Sequence, residues 1–462
     1  MNRFLAFILA GLLSLQLFPA VQAQAAAPPI CLAINGQIRQ VSPGPRLVSG
    51  RVLVPLRYIT EDPALGGKVV WNAENRTITI DCSGHKIILA IGSRGVSIDA
   101  RMIQLDVAPE IYQNRTYIPL RFFSEAIGGT VGWKDRSKTV LINFGPPPII
   151  MGYFYTGGPE LLTHESMTDV VFRWLQADAN GGLSYEYWKD SSGEALRAAV
   201  LEAARKQGLR MHVGVAFMGY SAEGRTALHQ FLNSQTAQQA LNDSLIEQAR
   251  QYGYKGISLD FEGVPTEDRQ RFVDYIAALS AKTKANQLTL SVAVPARTAG
   301  STWHGGIDYA GIGANADLVI LMAYDYDLDK PNPSAPIRWV ENTAANLSSS
   351  VPKEKIILGT GTYGRDWTLT VPGRRNVYQE TLDTLRQSAI PLTPGFDQTS
   401  FTPYIDYTDS TGNQHRIWYE DSLSYAEKRA VMLEKGFRGM SFWRLKGTFT
   451  DFYTAMGETT GY

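Results

Sequence analysis

A chain of 462 residues is too long for one ordinary domain, so two or three are expected. Lys plus Arg and Asp plus Glu are equal at 44 each, which removes the electrostatic reason to expect a nucleic acid or an anionic membrane surface as partner. Aromatics make up 11% of the chain, which suits stacking on sugar rings, although cores consume most aromatic side chains.

Residues 1–25 have the pattern of a secretory signal peptide: Arg3 gives the positive start, Phe4 to Phe18 is an apolar run, and small residues follow at Ala23 and Ala25. An uncleaved anchor is the alternative, but the run is short of the roughly 20 residues that cross a bilayer. No other segment is apolar enough to span. An exported protein, free of the membrane after cleavage, is expected. The two cysteines, Cys31 and Cys82, could form a disulfide in an oxidising compartment if their Cα atoms lie within about 7 Å, which the sequence leaves open.

Residues 30–144 contain an internal repeat. Arg51-Val-Leu-Val-Pro-Leu-Arg-Tyr58, Gly66-Gly67 and Trp71 in one copy correspond to Arg115-Thr-Tyr-Ile-Pro-Leu-Arg-Phe122, Gly128-Gly129 and Trp133 in the other. Each copy reads as a strand, a short helix (Leu56 to Ile59, Leu120 to Ile127), a Gly-Gly turn and a closing strand from Thr77 or Thr139. Pro55 and Pro119 are expected to shape strand ends, and Arg57 and Arg121 to lock neighbouring turns. The doubled Pro-Leu-Arg motif resembles the copper amine oxidase N-terminal-like domain. His85 is the one histidine in this region, whereas a copper site needs several imidazole or thiolate ligands, so no metal is expected. Spacing or cell-wall attachment is the expected role. Gly145 to Pro148 reads as a stiff linker.

From Ile149 to Tyr462, short apolar runs alternate with helical stretches. Candidate strands are Ile149–Tyr155, Asp169–Trp174, Arg210–Phe217, Gly256–Phe261, Leu288–Pro295, Leu318–Tyr324, Lys355–Gly361 and Gly439–Trp443. Eight is the number that closes a (β/α)8 TIM barrel, so the expected class is α/β. A helix from Glu194 to Lys206 presents Leu196, Val200 and Ala203. Another, capped by Thr266, buries Phe272, Ile276 and Leu279. Residues from Asp366 to Glu420 are expected to form an α+β insertion between the seventh and eighth strands, walling one side of a cleft.

Chemistry in such barrels sits at the C-terminal ends of the strands. In the fourth, Ile257, Leu259 and Phe261 alternate with Gly256, Ser258, Asp260 and Glu262, which puts two carboxylates on the barrel axis. Like charges at that spacing force one group to keep its proton to higher pH, which makes a general acid near neutrality. The structural alternative is a buried ion pair to an arginine such as Arg365 or Arg444.

This strand resembles the catalytic strand of glycoside hydrolase family 18, Asp-Gly-x-Asp-x-Asp-x-Glu, with Gly256, Asp260 and Glu262 matching. Lys255 and Ser258 depart from it. A polar residue at the middle acidic position occurs in the subgroup resembling spore cortex-lytic N-acetylglucosaminidases. Met322-Ala-Tyr-Asp325, Tyr363-Gly-Arg-Asp-Trp367, Phe442-Trp443, Trp418-Tyr-Glu-Asp421 and Met151-Gly-Tyr153 match further family motifs in the expected order. The resemblance implies that Glu262 protonates the glycosidic oxygen and later activates water. The substrate's 2-acetamido carbonyl attacks the anomeric carbon, Asp260 accepts the acetamido N–H, and Tyr324 donates to its oxygen.

Tyr153, Ser258, Met322, Asp325 and Arg365 are the expected substrate contacts, with Trp443 as the floor beneath the cleaved sugar. Ser258, in place of a carboxyl that could share a proton with Asp260, is expected to hydrogen-bond Asp260 and to alter the pH profile. His164, His212, His229, His304 and His415 have no metal-ligand spacing, and neither metal nor cofactor is expected. The expected partner is peptidoglycan, its spore-cortex form, or chitin. The rival readings are a catalytically silent sugar-binding barrel and a barrel that scaffolds an active N-terminal domain.

Overall fold

The computed structural model describes residues 29–163, 166–186, 191–371 and 373–446. The expected signal segment and His164 lie outside the described residues. Eight parallel strands form the larger unit: β1 (Ile149–Phe154), β2 (Asp169–Ala177), β3 (Arg210–Met218), β4 (Gly256–Glu262), β5 (Thr289–Pro295), β6 (Leu318–Met322), β7 (Ile356–Gly361) and β8 (Gly439–Leu445). Each pairs with the next and β8 returns to β1, so the barrel is closed. The sixth strand ends at Met322, two residues before its expected end, which leaves Tyr324 and Asp325 on the loop at the barrel mouth.

Alternation along the strands sorts residues between two layers. Ile257, Leu259 and Phe261 point outward, where Phe261 stacks on Phe272 and Tyr275 of the following helix at centroid distances of 6.0 and 5.8 Å. Met151, Tyr153, Val171, Ile320 and Ile357 fill the inside. Gly256 sits at the inner floor, where an added Cβ would lie 2.2 Å from His212 Nδ1, so no side chain fits. The expected helix after β4 runs from Arg269 to Ala285 with Phe272, Ile276 and Leu279 buried. Thr266 does not cap it. Pro265 starts a 3-10 turn over Thr266–Asp268 instead, and the buried Asp268 leads into the helix while accepting from His229 and Arg271.

The insertion between β7 and β8 is a five-stranded antiparallel sheet, beginning at Gly364 and ending at Trp418, with one helix, Gln379–Gln387. Its first strand, Gly364–Thr368, leaves β7 after only two residues and so carries Arg365 beside the barrel mouth.

Three small sheets make up the N-terminal domain. The strands holding the two Pro-Leu-Arg motifs pair with each other, Ile118 opposite Val54 and Pro119 opposite Leu53, so the repeat is a structural pairing of its halves. Pro55 and Pro119 end those strands as expected, whereas Arg57 reaches only to Glu61 in its own turn. The disulfide left open by the sequence is not made. Both thiols are free, because Cys31 opens a strand of one sheet whereas Cys82 ends a strand of another and packs against Gly67.

This domain docks on two barrel helices, Ile337–Ser348 and Ser422–Lys435. Lys134 lies between Glu434 and Glu341 at 2.6 and 3.3 Å, Arg136 meets Glu341 at 3.0 Å, and Asn143 donates to the Leu433 carbonyl. The buried Arg429 donates to the Val131 carbonyl at 2.9 Å, and burial followed by the nearby Arg121 charge pulls its pKa down to about 10. Lys134→Glu would set three carboxylates against one another at this interface, at a cost of roughly 2–3 kcal/mol. Calorimetry should then resolve two unfolding transitions where the unaltered chain gives one. A single transition at an unchanged Tm would show that the interface contributes nothing.

Candidate active site

At the end of β4, Asp260 is 7% exposed, while Glu262 is half-buried at the barrel mouth. Two carboxylates on one face of one strand, both withdrawn from water, repel each other strongly. Burial pushes the Glu262 carboxyl up, and the Asp260 charge pushes it further, to about 7. The Tyr220 hydroxyl, which donates to Glu262 Oε2, and the Arg173 charge pull the other way without cancelling the rise. Burial also raises Asp260, opposed by Arg173. The pair therefore titrates as a unit, and Glu262 is the member whose proton is held near neutral pH.

Arg173 comes from β2. Asp169, Val171 and Arg173 share the inward parity of that strand, and Val171 belongs to the inner cluster. The Arg173 side chain is buried, and its Nε donates to Asp260 Oδ2 at 3.2 Å. Its NH1 donates to Glu186 at 2.6 Å. Glu186 follows a short strand, Leu183–Tyr185, that folds back on the end of β2, and it also accepts from Tyr155 at 2.7 Å. With Oδ2 engaged, Asp260 Oδ1 is buried and has no hydrogen-bond partner among the described residues.

Ser258 does not bond Asp260, contrary to expectation. Its hydroxyl pairs with the Tyr153 hydroxyl at 3.2 Å, because the Tyr153 ring crosses the barrel from β1 below Asp260. Tyr153 also meets Trp443 of β8, with ring centroids 5.7 Å apart, and Tyr155 meets the same indole at 5.7 Å. Trp443 and Met322, both partly buried, pack against the inner apolar cluster.

The opposite wall comes from the loops after β6 and β7. Tyr324 is half-buried with its ring centroid 6.5 Å from that of Tyr363, and the charges of Asp260 and Glu262 reach it. Asp325 has a left-handed backbone, φ 62°, which a short polar side chain tolerates best. Tyr363 and the buried Arg365 both donate to Asp325 Oδ1, so the strained turn is held by two charge-assisted bonds. Around the rim, Tyr220, Trp303 and Tyr326 expose 52%, 74% and 46% of their surface.

All nine candidate residues therefore lie at or just below the barrel mouth, and the buried ion pair given as the structural alternative is made, but with an arginine other than the two named as examples. Arg365 serves Asp325, and the Arg444 guanidinium lies over the Tyr155 ring at 4.5 Å; Arg173 takes the ion pair instead. Arg173, Glu186 and Tyr220 were not anticipated. For Arg173 a signal existed: it is the lone cation in the apolar run Val170 to Leu175, at inward parity. For Tyr220, on a loop, there was none.

The model for glycosyl hydrolases family 18 matches residues 149–447, and that for the copper amine oxidase N-terminal domain matches residues 33–142. A putative sporulation-specific glycosylase, YdhD, of Bacillus subtilis (strain 168) is 32% identical over 239 residues, 50% of this chain and 56% of that protein. A cortical fragment-lytic enzyme of the same organism is 29% identical over 237 residues, 49% of this chain and 54% of that protein. The chain thus spans about half the length of the curated relatives it matches. The structure of the Bacillus cereus spore cortex-lytic enzyme SleL superposes with a TM-score of 0.60 at 22% identity, covering 67% of this chain and 74% of that one, a likeness of fold. With a closed barrel, acidic side chains at the end of its fourth strand and a family match across nearly two-thirds of the sequence, this chain belongs to glycosyl hydrolase family 18.

Proposed function

We propose that the barrel hydrolyses β-1,4 bonds next to N-acetylglucosamine in peptidoglycan, its cortex form or chitin-type polymers, by substrate-assisted retention. The observation that carries this reading is the asymmetry of the two β4 carboxylates. Glu262 keeps a proton to about 7 at the mouth, whereas Asp260 is buried and tied through one oxygen. A retaining enzyme with two protein carboxylates places them on opposite sides of the scissile bond, about 5 Å apart, with the second free to attack. Here both project from the same face of one strand and Asp260 is buried against Arg173, which favours a nucleophile other than Asp260. The nucleophile then comes from the substrate, as its 2-acetamido oxygen.

In this mechanism Glu262 delivers its proton to the leaving oxygen while the acetamido carbonyl closes onto the anomeric carbon, giving an oxazolinium ion. Asp260 Oδ1, buried and without a donor, accepts the acetamido N–H and stabilises the positive charge that grows there. Tyr324 donates to the acetamido oxygen and aligns it. Glu262, now ionised, takes a proton from water, which opens the ring with retention. The sugar stacks on Trp443. The names of the two curated relatives favour wall glycan over chitin, and an exported protein whose N-terminal domain contributes to wall association fits such a substrate.

Purified peptidoglycan, spore cortex and chitin oligomers, with product analysis by mass spectrometry, provide the assay. Glu262→Gln should lower kcat by about 10³–10⁴-fold with substrate binding kept. A silent sugar-binding barrel would have no turnover to lose. Tyr324→Phe should lower kcat by about 10²-fold.

Activity should fall as pH rises through about 7, where Glu262 loses its proton. Tyr220→Phe removes a bond that favours the Glu262 carboxylate, so the basic limb should move to higher pH. A basic limb that stays in place, or moves down, would contradict the assignment of Glu262 as the acid. Ser258→Asp should shift the acid limb by giving Asp260 a group to share its proton with.

A further inference from the structure

We propose that Arg173, braced by Glu186, is the positioning residue that keeps Asp260 ionised and turned toward the substrate, the task left open when serine occupies position 258. This rests on the substrate-assisted reading above and deepens it. An aspartate that stabilises an oxazolinium ion has to be charged, and it has to present one oxygen to the acetamido N–H. A neighbouring carboxyl can satisfy both needs by taking the proton. Ser258 cannot, and its hydroxyl is engaged with Tyr153.

Arg173 meets both needs by a different route. Its Nε fixes Oδ2 at 3.2 Å, which leaves Oδ1 as the free acceptor. Its positive charge opposes the burial that raises the Asp260 carboxyl toward the neutral acid, so the arginine is what limits that rise. Orientation is set from behind: Glu186 holds the far side of the guanidinium at 2.6 Å and is itself held by Tyr155 at 2.7 Å and Gln176 at 3.2 Å. The hairpin strand Leu183–Tyr185 pairs with Leu175 to Ala177, so the brace is built on the same strand as the arginine.

One consequence reaches the acid. Asp260's charge is the main electrostatic cause of the raised Glu262 proton affinity, so an arginine that keeps Asp260 charged also keeps Glu262 protonated. The groups that face this pair are Arg173 and Glu186 from β2 and its hairpin, Tyr153 from β1, Tyr220 after β3, and Tyr324 and Asp325 after β6. Arg173 is the only cation these charge interactions bring to bear on the two carboxylates among the described residues.

The test is the pH profile of kcat and kcat/KM on wall glycan for the full chain and three variants. Arg173→Met should move the acid limb up by at least one pH unit and lower kcat about 100-fold at the original optimum, with KM changed less than threefold. Arg173→Lys, which keeps the charge but loses the fork, should show a smaller shift in the same direction. Arg173→Met with Ser258→Asp should bring the limb back toward lower pH, because a carboxyl then shares the Asp260 proton. A merely structural arginine would lower activity equally at every pH and would not be rescued.

Unmoved limbs in folded Arg173→Met, or in Arg173→Lys should the methionine variant not fold, would overturn the proposal while leaving the hydrolase reading intact. Absence of turnover by the unaltered chain on wall glycan, cortex and chitin oligomers would overturn both.

Discussion

The site depends on one electrostatic constraint: two carboxylates project from the same face of β4 into a closed barrel. Water cannot solvate both, and their separation is too small for the repulsion to be screened. Something has to give, and here the burden is divided. Asp260, the deeper, is tied to a buried arginine that opposes its protonation; Glu262, at the mouth, holds its proton to about 7. The same constraint that makes the strand costly to fold thus produces a neutral acid beside a carboxyl held by an arginine. Burial supplies the larger part of the Glu262 rise and the Asp260 charge the next, so the acid depends on both the barrel wall and its neighbour.

The scaffold around this pair buries it from below and from the side. The inner apolar cluster closes the barrel below, with Tyr153 and Trp443 as its lid. The inserted lobe contributes Arg365, which with Tyr363 holds Asp325 in its left-handed turn beside Tyr324. The N-terminal domain stands apart from the cleft. It grips two outer helices through Lys134, Arg136 and Arg429, so the proline-rich linker is not its only tie to the barrel.

Much of this could be read from the sequence because it is written in local patterns. Short apolar runs marked all eight strands, since each is largely buried on both faces. Period-two alternation put Asp260 and Glu262 on the axis. What the sequence concealed depends on stagger and on distance along the chain. Arg173 was visible as an inward cation, but β2 and β4 are not neighbours, and which arginine reaches Asp260 follows from the tilt of the strand between them. Ser258 turned to Tyr153 for the same reason: its partner comes from across the barrel. Thr266 looked like a helix cap until Pro265 imposed a tighter first turn. The docking of Lys134 against Glu434 joins residues whose approach no local pattern encodes.

The central claim is that Glu262 is a neutral acid because burial, and then the Asp260 carboxylate beside it, raise its proton affinity. Carboxyl 13C NMR of the full chain, with Glu262 assigned by comparison with Glu262→Gln, measures this directly. A midpoint near 7 for Glu262, falling when Asp260→Asn removes the neighbouring charge, is the predicted result. A midpoint in the ordinary glutamate range of about 4.3, or one indifferent to Asp260, would contradict the account.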